Sequence, residues 1–299
     1  MTHITIYGYG AQGRAQALNV RDSGWDVTVV LRENSSSLAR AAHDEIRTST
    51  DCVAATRATQ IAVLLIPDTA QPALYNELLA PHLPPHATLI FAHGFNIHYE
   101  RILPREDLDV LLAAPMCDGI GLREKFCANE IIPIITAIHH DANGAAADTL
   151  QSYIGALTKN RCDVIPSTFA AETETDLFSE QVLLCGGLAF LILAVFDTLV
   201  AAGYDPKIAY YTALHEPKNL ARLFSERGLQ DGFANISAVA RHGALTRGPR
   251  VIDDHVRATL QTILSEIQSG DYARELITNP PPAAAPWREH LIERLQAKR

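Results

Sequence analysis

The segment ITIYGYGAQG, residues 4–13, decides the fold of this chain because it joins a short apolar run to the start of a helical pattern. Its glycines have the spacing of a dinucleotide fingerprint, and RAQALNVRDSG continues from residue 14 as a helix. The first glycine permits a tight turn, the second lets backbone N–H groups approach a pyrophosphate, and the third lets helix and strand pack closely. We predict a dinucleotide site formed by Gly8, Tyr9, Gly10, Ala11, Gln12 and Gly13. An ordinary glycine turn between strand and helix is the alternative.

Short apolar runs alternate with helical stretches through the first half of the chain. The runs are ITIYG (4–8), DVTVVL (26–31), IAVLLI (61–66), ATLIFA (87–92), DVLLAA (109–114) and IIPIITAI (131–138). This alternation predicts a parallel sheet with helices on both faces. After about residue 166 only helical patterns follow, over 172–201, 205–227 and 252–268. We therefore predict an α/β protein with a doubly wound Rossmann sheet and an all-α C-terminal domain. The predicted divisions are 1–166, 167–278, and a Pro/Ala linker with a terminal helix at 279–299.

Composition narrows the partners and the compartment. The 299 residues are 47% hydrophobic, which is enough for two cores, and the formal net charge of -9 argues against nucleic-acid binding. Five cysteines without a CxxC pair fit neither a disulfide framework nor a zinc site, and no targeting segment precedes the first strand. These features predict a cytoplasmic protein. The apolar run 182–202 approaches the length of a membrane span, but Asp197 interrupts it, and we expect a helix buried in a protein core.

The residue at the end of the second predicted strand determines which dinucleotide is preferred. An acidic residue there favours the ribose hydroxyl of NAD, whereas a basic residue favours the phosphate of NADP. The sequence reads LRENSSS over 31–37, in which Arg32 can pair with a phosphate and the hydroxyls of Ser35 and Ser37 can donate to it. We predict NADPH as the cofactor. The alternatives are NADH, with Glu33 on the ribose, and a polar surface loop without a role.

A pair of carboxylates precedes the apolar run of the second half. Asp176 and Glu180 are four residues apart, so both leave one face of a helix, and oxygen ligands are those that Mg²⁺ prefers. The pair predicts half of a magnesium site. A solvated helix face is the usual alternative for such a spacing.

Several long strings resemble the ketol-acid reductoisomerases of branched-chain amino-acid synthesis, in the order of that family. They are GYGAQGRAQALNVRDSGWDV (8–27), LIPD (65–68), FAHGFNIHY (91–99), ETETDLFSEQVLLCGG (172–187), LHE (214–216) and TRGPRVI (246–252). The chain length is similar to the short-chain class of that family. The resemblance implies a Rossmann domain, a knotted helical C-terminal domain that forms an intertwined dimer, and a site for NADPH, two Mg²⁺ ions and a 2-hydroxy-3-keto acid.

The same resemblance implies roles for individual residues. Pro67 and Asp68 would contact the cofactor, and His93 would be the active-site histidine, a proton donor or an orienting group. Glu216 matches one of two family glutamates that bind metal, and Ser237 matches a serine at the carboxyl end of the substrate. The alternative for His93 is a histidine that only bonds a backbone carbonyl.

Two positions depart from the family at its catalytic centre. The second metal-binding glutamate would stand four residues before Glu216, where this chain has Thr212, and the catalytic lysine would stand at Met116. Threonine supplies no negative charge to Mg²⁺, and methionine moves no proton. Lys125 is expected to be a surface residue rather than a substitute. The segment around Ser237, residues 235–243, also differs from the family, which indicates a changed substrate.

These departures leave three hypotheses open. The first is an NADPH-dependent reductase that acts on a C=O or C=N group of a small polar substrate, without the alkyl migration that depends on paired metals. The second is a working Mg²⁺-dependent reductoisomerase that converts 2-acetolactate to 2,3-dihydroxyisovalerate. The third is a non-catalytic sensor of NADPH.

Overall fold

A computed structural model describes residues 3–280, and these form two compact units. The first unit comprises Met1–Thr173, and the second begins at Glu174. The predicted boundary after residue 166 lies seven residues earlier and remains a prediction. Residues 281–299, which make up nearly all of the predicted linker and terminal helix, lie outside the described part of the chain.

The first unit is built on an eight-stranded sheet of order β3-β2-β1-β4-β5-β6-β7-β8. The strands are β1 (His3–Tyr7), β2 (Asp26–Val30), β3 (Arg47–Ser49), β4 (Ile61–Leu64), β5 (Thr88–Phe91), β6 (Asp109–Pro115), β7 (Ile132–His140) and β8 (Cys162–Pro166). Neighbouring strands are parallel except β6 and β7, which are antiparallel. The order reverses between β1 and β4, and ligands of open α/β sheets bind in the crevice at such a point.

Helices cover both faces of this sheet because successive strand residues point to opposite sides. Ile4 and Ile6 of β1 belong to one buried cluster, whereas Tyr7, Ala62 and Leu64 belong to the other. The helices are α1 (Ala11–Asp22), α2 (Ser37–His43), α3 (Cys52–Arg57), α4 (Gln71–Leu74), α5 (Ala80–His82), α6 (Phe95–His98), α7 (Gly119–Ala128) and α8 (Ala146–Thr158). The predicted doubly wound sheet is thus confirmed, with one antiparallel pair.

The second unit is helical throughout its described residues. Helix α9 (Phe169–Ser179) leads into it, and a π-helical turn at Glu180–Leu184 follows. The remaining elements are α10 (Gly187–Ala201), α11 (Pro206–Tyr210), a π-helical turn at Tyr211–His215, α12 (Pro217–Ala234), α13 (Ala238–Val251), α14 (Asp254–Gln268) and α15 (Asp271–Thr278). The change from α/β to all-α after β8 is as predicted.

The apolar helical run Phe169–Ala201 is mostly exposed in the single chain. It is long and apolar enough to cross a membrane by length and composition, and only 6% of its most apolar window is buried. The expectation of a helix buried in a protein core is therefore wrong for the single chain. Few residues around it are buried, among them Phe196, Ala209 and Ala213.

Candidate cofactor and active site

The glycine turn after β1 has the geometry that a dinucleotide needs. Gly8 has a positive φ of 107°, and a Cβ there would lie 2.7 Å from the carbonyl oxygen of Leu65 on the β4 side. A Cβ at Gly13 would collide with the carbonyl of Gly8, whereas nothing lies within 4 Å of the place where a Cβ would stand at Gly10. The first and third glycines are thus required by packing. The open space at Gly10, at the N-terminus of α1, fits the approach of a pyrophosphate.

The loop after β6 is hydrogen-bonded to this turn. Gln12 Nε2 donates to the carbonyl oxygen of Cys117 at 2.8 Å, and Gly119 lies so close to the backbone of Ala11 that no side chain fits there. Met116, which is 56% exposed, therefore lies in a loop that is bonded to the glycine turn. Burial raises the pKa of the Cys117 thiol, so this neighbour is uncharged at neutral pH.

The loop after β2 presents the residues predicted to choose the cofactor. The Arg32 side chain is exposed, and its guanidinium makes no hydrogen bond or ion pair with another described residue, whereas its backbone carbonyl accepts from Ser35 N–H at 2.9 Å. Ser35 Oγ accepts from the backbone N–H of Ser37 at 3.2 Å, and Ser37 Oγ lies 3.4 Å from the carbonyl oxygen of Tyr9. Both serines therefore order this loop, and Ser37 joins it to the glycine turn.

The loop after β4 is held by two buried amides that the sequence did not reveal. Pro67 precedes a 3₁₀ turn at Asp68–Ala70. Asn96 Nδ2 donates to the carbonyl oxygen of Asp68 and to Gln71 Oε1, both at 3.0 Å, and Gln71 Nε2 donates to Asp68 Oδ1 at 3.2 Å. These bonds tie the loop of Pro67 and Asp68 to the loop that carries His93.

His93 follows β5 and is paired with a buried acid. Its Nδ1 lies 3.1 Å from Glu172 Oε1, and the other oxygen of Glu172 accepts the backbone N–H of Gly94 at 2.7 Å. A side chain at residue 94 would meet Thr173 Oγ1 at 2.5 Å and the carbonyl oxygen of Phe169 at 2.7 Å. Glycine is therefore needed for this approach. Glu172 was not identified as a site residue, although it opens the string ETETDLFSEQVLLCGG.

The predicted metal ligands Asp176 and Glu180 lie on successive turns. Asp176 is on α9, and Glu180 is the first residue of the π-helical turn that follows. The carbonyl oxygen of Glu180 accepts from Cys185 at 2.8 Å and from Gly186 at 2.9 Å, which widens the turn. A Cβ at Gly186 or Gly187 would collide with the carbonyls of Gln181 and Val182. The glycine pair is thus a requirement of the wide turn after Glu180.

Thr212 and Glu216 face one open cavity of about 740 Å³ in the second unit. Both side chains are exposed, and the rest of the lining is mostly apolar, including Leu220, Leu223 and Phe224. The N–H of Glu216 bonds to the carbonyl of Tyr211, five residues back, because Pro217 interrupts the helix. Among the described lining residues, Glu216 supplies the only carboxylate.

Ser237 and Lys125 have structural partners. Ser237 is the N-cap of α13, where its Oγ accepts from the N–H of Ala240 at 3.2 Å. Lys125 Nζ lies 3.2 Å from Glu130 Oε2 in a surface ion pair. The structure thus gives Lys125 the surface position expected for it.

The doubly wound sheet and the glycine turn at its switch point are those of a dinucleotide-binding protein. Residues 1–162 match the family described as acetohydroxy acid isomeroreductase, NADPH-binding domain, and residues 169–298 match the ketol-acid reductoisomerase C-terminal domain. An NADH-preferring ketol-acid reductoisomerase from an uncultured archean is 32% identical, with a TM-score of 0.89 over 93% of this chain and 85% of that chain. The chain belongs to the ketol-acid reductoisomerase family, which confirms the resemblance found in the sequence.

More distant structures share the fold. A semialdehyde dehydrogenase NAD-binding protein from Cupriavidus necator is 18% identical, with a TM-score of 0.68 over 91% of this chain and 99% of that chain. A pyrroline-5-carboxylate reductase from Coxiella burnetii is 14% identical, with a TM-score of 0.63 over 92% and 98%. These two structures show a shared fold only, whereas membership of the ketol-acid reductoisomerase family makes the protein an enzyme of an NAD(P)H-dependent oxidoreductase family.

Proposed function

We propose that the chain reduces a C=O or C=N group of a small polar substrate with NADPH and does not perform the alkyl migration of its family. The observation that carries the proposal is the joint presence of Met116 and Thr212 where the family has a lysine and a glutamate. Met116 lies in the loop bonded to the glycine turn, and Lys125 forms a surface ion pair with Glu130. The cavity that holds Thr212 has Glu216 as its only acidic lining residue among those described.

The residues of the glycine turn would hold the dinucleotide, and a bound NADPH supplies the hydride. Gly10 leaves space for the pyrophosphate, and Arg32 offers an unpaired guanidinium, among the described residues, to a ribose phosphate. Tyr9, Ala11, Gln12, Pro67 and Asp68 would complete the cofactor contacts. The archaeal relative prefers NADH, so the dissociation constants of NADPH and NADH need a direct comparison.

His93 would donate the proton that accompanies hydride transfer. A carboxylate only accepts hydrogen bonds, so the bond to Glu172 places a hydrogen on Nδ1 and fixes the orientation of the ring. Glu172 would act through His93, because its own oxygens are bonded to Gly94 and to the ring. Ser237 would contact the carboxyl end of the substrate. Its hydroxyl accepts from the N–H of Ala240 as the helix cap and still has a hydrogen to donate.

Magnesium fits these residues in part. Asp176 and Glu180 supply two carboxylates on successive turns, and Glu216 supplies a third on another element. Bound Mg²⁺ polarises substrate oxygens. With Thr212 in place of an acid, we propose that the magnesium site is weakened and that the reduction does not depend on it.

A homodimer would account for the apolar surface of the second unit. Exposed apolar side chains lie along α10 and its neighbours, including Leu183, Leu188 and Leu191. Obligate dimer interfaces resemble a protein core cut in half, and such a surface is what one of them requires. A cytoplasmic location agrees with this proposal and with the five cysteines, all of which are free thiols.

The test is NADPH oxidation by the purified protein with 2-acetolactate and, separately, with 3-hydroxypyruvate or 2-ketopantoate, each with Mg²⁺ and with EDTA. We expect no turnover of acetolactate and EDTA-resistant reduction of a simpler carbonyl compound. Conversion of acetolactate at an ordinary enzymatic rate with Mg²⁺ would overturn the proposal and establish a reductoisomerase. Tight NADPH binding without turnover on keto acids and imines would favour a sensor instead.

A further inference from the structure

Asp44, immediately after α2, is the centre of a hydrogen-bond network that reaches the glycine turn. Its side chain is only 6% exposed. Oδ2 accepts from the Tyr9 hydroxyl at 2.9 Å and from Arg14 Nε at 2.6 Å, and Oδ1 accepts from Arg14 Nη2 at 2.8 Å. A bidentate bond between a guanidinium and a carboxylate is a strong and directional contact. One carboxylate therefore holds two side chains of the β1–α1 segment.

Both partners belong to the turn and helix that would bind the pyrophosphate. Tyr9 stands between Gly8 and Gly10, and its ring is buried in the core on the α1 side of the sheet. Arg14 follows Gly13, in the first turns of α1. Because Gly8 and Gly10 have no side chains, Tyr9 provides the nearest side-chain anchor for the turn. The glycines supply its conformation, and the hydroxyl of Tyr9 supplies a fixed attachment.

The network also reaches the loop that would recognise the adenosine phosphate. Helix α2 begins at Ser37, whose Oγ lies 3.4 Å from the carbonyl oxygen of Tyr9, and it ends beside Asp44. Arg21 Nη1 donates to the backbone carbonyl of Asp44 at 2.5 Å. Both ends of α2 are thus bonded to the β1–α1 segment. The glycine turn and the Arg32–Ser37 loop are held in one arrangement.

Charge explains why an acid is needed at residue 44. The Arg14 guanidinium holds the pKa of the Asp44 carboxyl well below its usual range, so the carboxylate is ionised at neutral pH. Burial and the bond to Asp44 raise the pKa of the Tyr9 hydroxyl, which remains a donor. An amide at residue 44 would lose the charge, and its NH₂ group would replace the Oδ1 acceptor of Arg14 Nη2, so the bidentate contact would be lost.

We propose that Asp44 is a positioning residue for the nicotinamide dinucleotide, which fixes the glycine turn and the adenosine loop through Tyr9 and Arg14. Asp44 has no contact with the cofactor in this scheme. The proposal rests on dinucleotide binding at the glycine turn and is independent of the substrate and of the isomerase question.

Asp22 provides a matched control, because it is the last residue of α1, at the opposite end from the glycine turn. Its Oδ1 accepts from Arg21 Nη2 at 2.8 Å, and its Oδ2 accepts from Arg123 Nη2 at 2.6 Å. It is thus also an aspartate bonded to arginine, but about 17 Å from the start of α1 at 1.5 Å per residue. A role in stability alone would make Asp22 and Asp44 equivalent in a cofactor-binding experiment.

The experiment measures the Kd of NADPH and the Tm of the wild type, Asp44→Asn, Tyr9→Phe and Asp22→Asn. Loss of charge-assisted bonds at the turn should raise the Kd about ten-fold in Asp44→Asn, and loss of one neutral bond should raise it about three-fold in Tyr9→Phe. Asp22→Asn should stay within about two-fold of the wild type, even where its Tm falls as far as that of Asp44→Asn. At saturating NADPH, kcat should change little in Asp44→Asn.

Three results would overturn the proposal. One is an unchanged Kd in Asp44→Asn, and another is an equal rise in Asp22→Asn. If Asp44→Asn does not fold, an unchanged Kd in Tyr9→Phe decides against it. A wild type that binds neither NADPH nor NADH would refute the cofactor assignment itself, whereas tight wild-type binding without an effect of these variants would refute only the role of Asp44.

Discussion

His93 Nδ1 and Glu172 Oε1 lie 3.1 Å apart, although the residues are 79 positions apart in the chain. The bond joins the loop after β5 to α9 and requires a glycine at residue 94, where any side chain would meet α9. A histidine held in this way has one ring nitrogen committed to a carboxylate. The orientation of the ring, and with it the direction of the other nitrogen, is then fixed.

Replacing Glu172 by glutamine should reduce kcat by about 100-fold, because His93 loses the charged acceptor that orients it and stabilises its protonated form. The Kd of NADPH should stay within about two-fold, since Glu172 does not contact the glycine turn. Steady-state kinetics and a fluorescence titration measure the two quantities. Glu174→Gln is the control, because Glu174 lies on the same helix and accepts a hydrogen bond from Gln268. Equal losses in both variants would contradict a specific role for Glu172.

Gly10→Ala should raise the Kd of NADPH by about 100-fold without lowering the Tm. The backbone of Gly10 has φ -73°, which alanine adopts, and no atom lies within 4 Å of the added Cβ. The methyl group would instead occupy the space through which a pyrophosphate approaches. The companion variant Gly94→Ala should instead lose stability, with a free energy of unfolding lower by about 1–3 kcal/mol because of overpacking. An alanine at residue 10 with normal NADPH affinity would place the cofactor elsewhere.

The strands that the sequence predicted are the buried ones. β1, β2, β4 and β5 lie within two residues of the predicted bounds because both faces of each strand are covered, which produces continuous apolar runs. β3 and β8 were missed. They are edge strands in which polar and exposed residues interrupt the apolar pattern. The antiparallel direction of β7 could not be predicted either, because hydrophobic periodicity does not depend on strand direction.

The candidate site was predictable where a motif carries its own geometry. The glycine turn and the Asp176–Glu180 spacing are local patterns, so the sequence indicated them directly. The partners Glu172, Gln71 and Asn96 act across loops from different strands, and such contacts depend on the tertiary fold. The π-helical turn at Tyr211–His215 was also missed, although Pro217 marks the interruption of the helix that accompanies it.

Leu191→Asp should convert a dimer into monomers. Leu191 is 47% exposed on α10 in the single chain, so a monomer can hold the new carboxylate in water. In a dimer the same charge would be buried without a partner and should weaken association by about 100-fold. Light scattering after size exclusion measures the mass. Leu103→Asp, at a site 75% exposed in the first unit, is the control and should remain dimeric. A wild type that elutes as a monomer would contradict the dimer.

The stability difference between the wild type and Asp44→Asn should depend on pH. The folded state lowers the pKa of Asp44 through Arg14, Tyr9 and His43, so the stabilisation is present above the unfolded pKa of about 3.9. It is lost as the pH falls below that value towards the lower pKa of the folded state. The difference in the free energy of unfolding should therefore be constant between pH 5 and 7 on this account, and it should narrow from about pH 4 downwards. Urea unfolding at each pH measures it, and a difference that grows on acidification would contradict the ion pair.

Thr212→Glu should strengthen the binding of Mg²⁺. Thr212 and Glu216 line the same cavity, so the substitution adds a second carboxylate to one that already faces that space. Mg²⁺ gives up water reluctantly and depends on carboxylates for affinity, and a gain of at least about ten-fold is expected by calorimetry. Thr259→Glu is the control, because it places the same new charge at an exposed threonine of α14 that does not line this cavity. An equal gain in both variants would indicate nonspecific attraction to added charge. No gain in Thr212→Glu would mean that this cavity is not the second metal site, and the proposed loss of the alkyl migration would then rest on Met116 alone.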